Sequence, residues 1–258
     1  MRKSTINQGI DKDGLLIKET ILCQPEFAAT ITPAWFTADF YAEYARPVSQ
    51  GGRNAAWFID TLQAPESDSD DLPSLQAVLR QYRRGGMVAK ISRSHYVWGG
   101  AEQTRSWAEL RLLQQMYSAG LPVPKPLAAY YQQHLGFYQA AILTQTIPHS
   151  QTLVNVLQSA QAQGLSQEAL ETLAAKVAQA IHQMHAFKVC HADLNAFNIM
   201  VDRDSKIWLL DFDKSRYNPS EKNWPQNNLQ RLQRHLLKTC GEQGLAFWSQ
   251  INEKYQKI

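Results

Sequence analysis

The chain has 258 residues, 44% hydrophobic, 10% aromatic and 19% charged, which excludes a solvated disordered tail and leaves one large domain or two small lobes with a real core. Twenty-six Lys and Arg against 23 Asp and Glu leave +3, a mild basic excess that suits an anionic partner and is far from a nucleic-acid coat. Cys23, Cys190 and Cys240 are too few and scattered for a disulfide framework or a C-x-x-C metal knuckle, so a reducing cytosol is implied.

Met1 to Asp13 has Arg2 and Lys3 followed by polar residues, not the apolar stretch of a cleaved signal peptide. No apolar run approaches the roughly 18 residues of a membrane-spanning helix, so any membrane contact is expected to be peripheral. Residues 27–45, with Phe27, Trp35, Phe36, Phe40, Tyr41 and Tyr44, read as an aromatic helix packed on the first lobe. Gly51-Gly52-Arg53-Asn54 followed by Ala55 to Asp60 reads as a strand-turn-strand hairpin, and Pro65 to Asp71 as an acidic exposed loop. A strand is expected over Leu75–Tyr82, ending in the basic turn Arg83-Arg84-Gly85-Gly86.

From Ala101 to Ala119 the period turns helical through Leu110, Leu113 and Tyr117, with Gly120 as the stop before Pro122. Strands follow at Lys125–Tyr131 and Phe137–Ile147, with a break near Pro148. Ser166 caps a second helix whose apolar stripe is Leu170, Leu173, Val177, Ile181 and Met184. Sheet before about residue 148 and helix after it predict two lobes, 1–147 and 148–258.

After that helix comes His191-Ala192-Asp193-Leu194-Asn195-Ala196-Phe197-Asn198, which fits H-x-D-L-x-x-x-N. Beyond the turn Asp202 to Ser205 and the apolar run Ile207 to Leu210 stands Asp211-Phe212-Asp213. The pair says more than either part. Phosphoryl transfer needs an in-line hydroxyl, which Asp193 can orient and deprotonate, and divalent cations to neutralise shared phosphate charge. Asn198 and Asp211 are hard oxygen donors suited to Mg²⁺.

These two motifs resemble those of the protein-kinase-like superfamily. The resemblance implies an α+β, two-lobed protein-kinase-like fold, with an N-terminal antiparallel sheet lobe carrying one helix and a mostly helical C-terminal lobe. It also implies a phosphate-binding glycine turn, a strand cation and a helix carboxylate. Gly51 and Gly52 are the turn candidates, although the full G-x-G-x-x-G is absent, and Glu109 is the carboxylate candidate. For the cation, Lys90 in Val88-Ala89-Lys90-Ile91 competes with Arg80; Arg80 is preferred because Arg83-Arg84-Gly85-Gly86 resembles the turn that follows this strand in lipopolysaccharide core kinases. Asp213 replaces the motif glycine, Asn195 stands where serine/threonine kinases usually place lysine, and no Ala-Pro-Glu segment follows, so a small molecule or glycan is a better acceptor than a peptide.

From about Gly51 to about residue 235 the resemblance narrows. Arg80-Gln81-Tyr82-Arg83-Arg84-Gly85-Gly86, Thr104 to Leu113, Gly120 to Pro126, His191 to Asn195 and Leu210 to Lys214 together look like the Kdo (3-deoxy-D-manno-octulosonic acid) kinases of the lipopolysaccharide core kinase family. That implies ATP-dependent phosphorylation, with Mg²⁺, of the 4-hydroxyl of a Kdo residue on a lipid A precursor. It further implies a Gram-negative cell, the cytoplasmic face of the inner membrane and peripheral attachment, with no nucleic acid and no protein partner. Kdo carries a carboxylate and lipid A carries phosphates, so Arg83, Arg84, Lys90 and Arg93 are candidates to hold the anionic headgroup.

Plainer readings stand beside these. His191 is expected to brace its loop, and the spacing of His182, His185, His191 and Asp193 fits no zinc motif. Trp35, Phe36, Phe40, Trp57 and Phe58 are expected to be packing residues. Competing functions are an aminoglycoside-type phosphotransferase, which shares the loop motif, and a pseudokinase scaffold.

Overall fold

Alternating side chains in the first half of the chain build an antiparallel sheet, and apolar stripes in the second half build helices. The structure, a computed structural model, describes residues 1–10, 16–48, 56–62, 75–82, 95–164 and 166–258. It divides into two compact units: Met1–Arg111 with Lys125–Thr146, and Leu112–Pro124 with Ile147–Ile258.

In the first unit, β1 (Arg2–Ile10), β2 (Leu16–Cys23), β7 (Pro126–His134), β8 (Phe137–Gln145), β5 (Ala77–Gln81), β4 (Ala56–Ile59) and β3 (Ala45–Pro47) lie in that order, and β6 (Tyr96–Val97) pairs with β8. Every pairing is antiparallel. Period-2 alternation gives the sheet two distinct faces. On one, Leu79, Leu143, Ala128, Ile21 and Cys23 are buried in a core with Trp35, Phe36 and Tyr41. On the other, Tyr131 meets Trp107 of α1 (Arg105–Ser118) edge to face, ring centroids 5.3 Å apart. Arg80 sits opposite Ile142 in the register, so it falls on the α1 face.

Segment 27–45 is not the expected helix. It forms three 3₁₀ turns, Pro25–Phe27, Pro33–Phe36 and Ala38–Tyr44, because Pro33 restarts the chain after an extended Thr32, Thr37 is extended, and Ala42 has φ +46°. The Tyr41 hydroxyl donates to the Trp35 carbonyl at 2.9 Å and locks the turns over the sheet. Trp35 and Phe36 pack as expected, but Phe58 is exposed. Strands 45–47 and 56–59 pair as the expected hairpin requires, with Ala45 opposite Ile59, while the expected turn at Gly51 and Gly52 and the expected acidic loop fall outside the described residues.

Helix α1 starts later than the expected 101, after a separate 3₁₀ turn at Ala101–Gln103. Its buried arc runs Trp107, Leu110, Leu113, Met116; Tyr117 is 41% exposed, one position off the face that its spacing suggested. Gly120, at φ +77°, ends the helix with its N–H on the Tyr117 carbonyl, while Leu121 N–H reaches that of Met116. That is the doubly bonded glycine stop in which a left-handed residue costs least.

The second unit holds β9 (Ser150–Thr152), α2 (Leu153–Gln163), α3 (Gln167–Ala186), β10 (Val189–Cys190), β11 (Ile199–Asp202), β12 (Ile207–Leu209), β13 (Arg216–Tyr217) and α4 (Trp224–Gln256). Ser166 caps α3, accepting from Ala169 N–H at 3.2 Å, and of the expected stripe Leu173, Val177, Ile181 and Met184 are buried while Leu170, in the first turn, is only partly buried. Strand β11 pairs with both β12 and β9, and β10 with β13. Helix α4 bends at Gly241, φ +59°, and at Gly244 a Cβ would lie 2.3 Å from the Leu236 carbonyl oxygen, so the bend closes only over glycine.

Candidate active site

In the first unit, β5 presents Arg80 and, two residues on and on the same face, Tyr82. Both converge on Glu109 of α1: the Arg80 guanidinium donates to Oε1, and the Tyr82 hydroxyl to Oε2 at 2.5 Å. Glu109 is 3% exposed, so this carboxylate has exchanged water for fixed donors, Arg80 and Tyr82 among them. Arg80 also lies 4.9 Å from the Tyr82 ring centre. A strand cation held by a helix carboxylate is the arrangement that kinases use to place a positive charge against nucleotide phosphates. Lys90, the rival cation, and Arg83, Arg84 and Arg93 lie outside the described residues.

In the second unit, the loop between β10 and β11 carries His191 to Asn198. Alternate residues anchor it: Leu194 and Ala196 are fully buried, which leaves Asp193 at the surface, 60% exposed. The Asn195 side chain shapes the turn, accepting from the N–H groups of Phe197 and Asn198 and donating to Asp193. Asn198 Nδ2 donates to the Asp193 carbonyl at 2.9 Å, which leaves Oδ1 as the ligand-type atom of that amide. The hairpin β11–β12 then brings its two ends side by side: Leu210 N–H donates to the Asn198 carbonyl at 2.9 Å, and Asp211 is the next residue. Asp211 has φ +59°, a conformation that costs a non-glycine residue about 1–3 kcal/mol and is retained where the surroundings impose it.

His191 joins these pieces. Its Nδ1 accepts from Asp193 N–H at 3.0 Å, so Nε2 carries the proton and donates to the Leu210 carbonyl at 2.9 Å. Its ring packs on Phe212 with centroids 4.7 Å apart. Burial pushes the imidazole pKa down, against the opposing pull of the Leu210 carbonyl and of the Asp211 and Asp193 charges. A neutral, fully buried His191 therefore ties the loop with Asp193 to the segment with Asp211.

Behind it lies a network with no counterpart in the spacing of the motif. Asn228 of α4 accepts His191 N–H on Oδ1 at 3.0 Å and donates Nδ2 to the His191 carbonyl at 2.7 Å. His185 Nε2 lies 3.3 Å from the same Oδ1 and donates to it, so its Nδ1 accepts the Tyr255 hydroxyl at 2.8 Å. Burial lowers the His185 pKa to about 4. Helix α4 also supplies Arg231, whose Nη1 donates to Asp193 Oδ1 at 3.3 Å. Tyr82 was detectable from its period-2 relation to Arg80. Asn228 and Arg231 stand 37 and 38 residues from their partners, and nothing local marks them.

The structure thus groups Asp193, Asn198 and Asp211 around His191 in one unit, and Arg80 with Glu109 in the other. Two oxygen donors at one end of a hairpin suit Mg²⁺, which takes one or two protein ligands and completes its shell with substrate phosphates and water. Among the described residues no group of three or more His, Cys, Asp or Glu could hold a metal on its own.

A family model described as the lipopolysaccharide kinase (Kdo/WaaP) family matches residues 38–255. Curated relatives named 3-deoxy-D-manno-octulosonic acid kinase are similar over most of the chain. The Xylella fastidiosa (strain M23) protein is 38% identical over 213 residues, 83% of this chain and 76% of its own. That of Xanthomonas euvesicatoria is 40% identical over 206 residues, 80% and 75%. That of Actinobacillus succinogenes is 38% identical over 231 residues, 86% and 90%. Among solved structures, one titled "WaaP in complex with acyl carrier protein" superposes with a TM-score of 0.58 at 12% identity, covering 92% of this chain and 89% of that one, which establishes a kinase-like fold.

Proposed function

Because this chain belongs to the lipopolysaccharide kinase (Kdo/WaaP) family, we propose that it transfers the γ-phosphoryl group of ATP to the 4-hydroxyl of a Kdo residue on a lipid A precursor. The observation that carries the chemistry is the catalytic-loop geometry: an exposed Asp193 held by a buried His191 to the segment that bears Asp211. In this reading the Asp193 carboxylate orients the acceptor hydroxyl and takes its proton as the new O–P bond forms and the bond from γ-phosphorus to the ADP oxygen breaks. Arg80, kept in place by Glu109 and Tyr82, meets the nucleotide phosphates. Asn198 Oδ1 and the Asp211 carboxylate are the residues that would hold Mg²⁺, which when bound neutralises charge shared between the β- and γ-phosphates.

Among the described residues no helix is long and apolar enough to cross a membrane. The proposed acceptor is an anionic glycolipid, so the enzyme works as a peripheral protein at the cytoplasmic face of the inner membrane. A soluble amine acceptor is not favoured, since the family and the curated relatives point to Kdo.

The test is labelled phosphate transfer from Mg-ATP, with a Kdo-bearing lipid A precursor and an aminoglycoside as parallel acceptors. Label on the Kdo lipid alone is the expected result. Transfer to the aminoglycoside alone, or to neither, rejects the proposed acceptor.

A further inference from the structure

The transfer chemistry leaves one charged contact unexplained. Arg231 of α4 reaches Asp193 through a single hydrogen bond from Nη1, at 3.3 Å, with the two side chains 47% and 60% exposed. A pair this open is worth about 0–1 kcal/mol, so it exchanges freely for a better partner. It is also monodentate, whereas a guanidinium offers a fork that matches a carboxylate with two parallel bonds.

The surroundings fit a sugar acid. One turn beyond Arg231, His235 accepts Ala196 N–H on Nδ1 at 3.3 Å and meets the Phe197 ring edge-on with centroids 5.1 Å apart. Phe197, on the catalytic loop itself, is 44% exposed, an apolar ring presented close to Asp193. Burial pushes the His235 pKa down against the raising pull of the Asp193 charge, with the Lys238 ammonium adding to the fall. A fixed cation, an exposed aromatic face and a carboxylate base beside one another suit an acceptor that carries its own carboxylate near the hydroxyl to be phosphorylated.

We infer that Arg231 is a specificity-determining residue that binds the carboxylate of the acceptor sugar, leaving Asp193 for it when the acceptor arrives, while Phe197 lies against the sugar ring. This rests on the reading of the acceptor as a Kdo residue. Binding then does two things at once: it selects an acidic sugar, and it draws the cation off the group that must take the proton.

The experiment compares the Kdo lipid with its methyl ester, in which the carboxylate charge is removed and the 4-hydroxyl kept, using wild type, Arg231→Ala and Arg231→Lys. In wild type the ester should raise the acceptor KM by roughly 10- to 100-fold, the scale of one charge-assisted hydrogen bond. Arg231→Ala should raise the KM for the acid by a similar factor, with little further change for the ester, and Arg231→Lys should fall between. KM for ATP and the thermal melt should not move. Equal use of acid and ester by wild type overturns the inference and leaves the Kdo reading standing. An equal fall in kcat on both acceptors in Arg231→Ala also overturns it, because Arg231 would then only position Asp193. Transfer by wild type to neither acceptor overturns both.

Discussion

The Arg80–Glu109 pair of the first unit and the Arg231–Asp193 pair of the second join the same charge types under opposite conditions. Glu109 is 3% exposed and, among the described residues, takes Arg80 on one oxygen and Tyr82 on the other; Asp193 is 60% exposed and takes the guanidinium through one longer bond. Solvation decides what each can do. A desolvated carboxylate cannot give up its partners without a penalty of several kcal/mol, so Arg80 stays where the strand and helix put it. A hydrated carboxylate changes partners at almost no cost, which a group that must meet a new substrate in each cycle requires.

Removing the carboxylate charge separates the two most sharply. Asp193→Asn should cut phosphoryl transfer by roughly 10²–10⁴-fold with an unchanged melt, the scale of a lost general base. Retained turnover would take Asp193 out of that role, and a large loss of stability would make it architectural like Glu109. Glu109→Ala should do the reverse first: about 3–5 kcal/mol of stability lost in denaturant titration, because a buried acceptor that Arg80 and Tyr82 share is removed, with weaker nucleotide binding following. Replacing both partners with apolar side chains of similar volume should restore much of the stability and none of the activity. A Glu109→Ala protein as stable as wild type would erase the contrast between the pairs.

A smaller effect comes from the network behind the loop. His185 has its folded pKa lowered to about 4 by burial, against an ordinary value near 6.5. Between these values the unfolded chain binds the proton and the folded one does not, so the stability contribution is full above pH 6.5 and declines as pH falls toward 4. The loss across that window is on the order of 3 kcal/mol. Thermal melts of wild type and His185→Gln should therefore converge on acidification. Parallel curves would mean that His185 is not held neutral by the fold.

What could be read in the primary structure tracks how local each cause is. The loop from His191 to Asn198 is legible because its chemistry is set within eight successive residues: Asn195 turns the chain, Leu194 and Ala196 anchor it, and Asp193 is left facing water. The Ser166 cap and the Gly120 stop are legible for the same reason, each being satisfied within a turn of itself. The run 27–45 has an aromatic spacing that resembles a helical face, but Pro33 and the extended Thr32 and Thr37 allow only 3₁₀ turns held down by the sheet. Strand β1 has no apolar alternation to announce it; it exists through its ladder to β2, itself paired with β7 more than a hundred residues away.

The order of amino acids by itself pointed to sheet before helix and marked Asp193, Asn198 and Asp211 as candidates, because periodicity, capping and short fixed spacings act over one or two turns of chain, whereas Arg80 and Glu109 became candidates only through the resemblance of their surrounding runs to lipopolysaccharide core kinases. Only the tertiary structure decided that Tyr82 shares Glu109 with Arg80, that Asn228 holds both backbone groups of His191, and that Arg231 rests on Asp193. Those contacts join elements nearly thirty to forty residues apart. Their geometry is settled by which faces bury together, a choice made by the whole core and by no local run of residues.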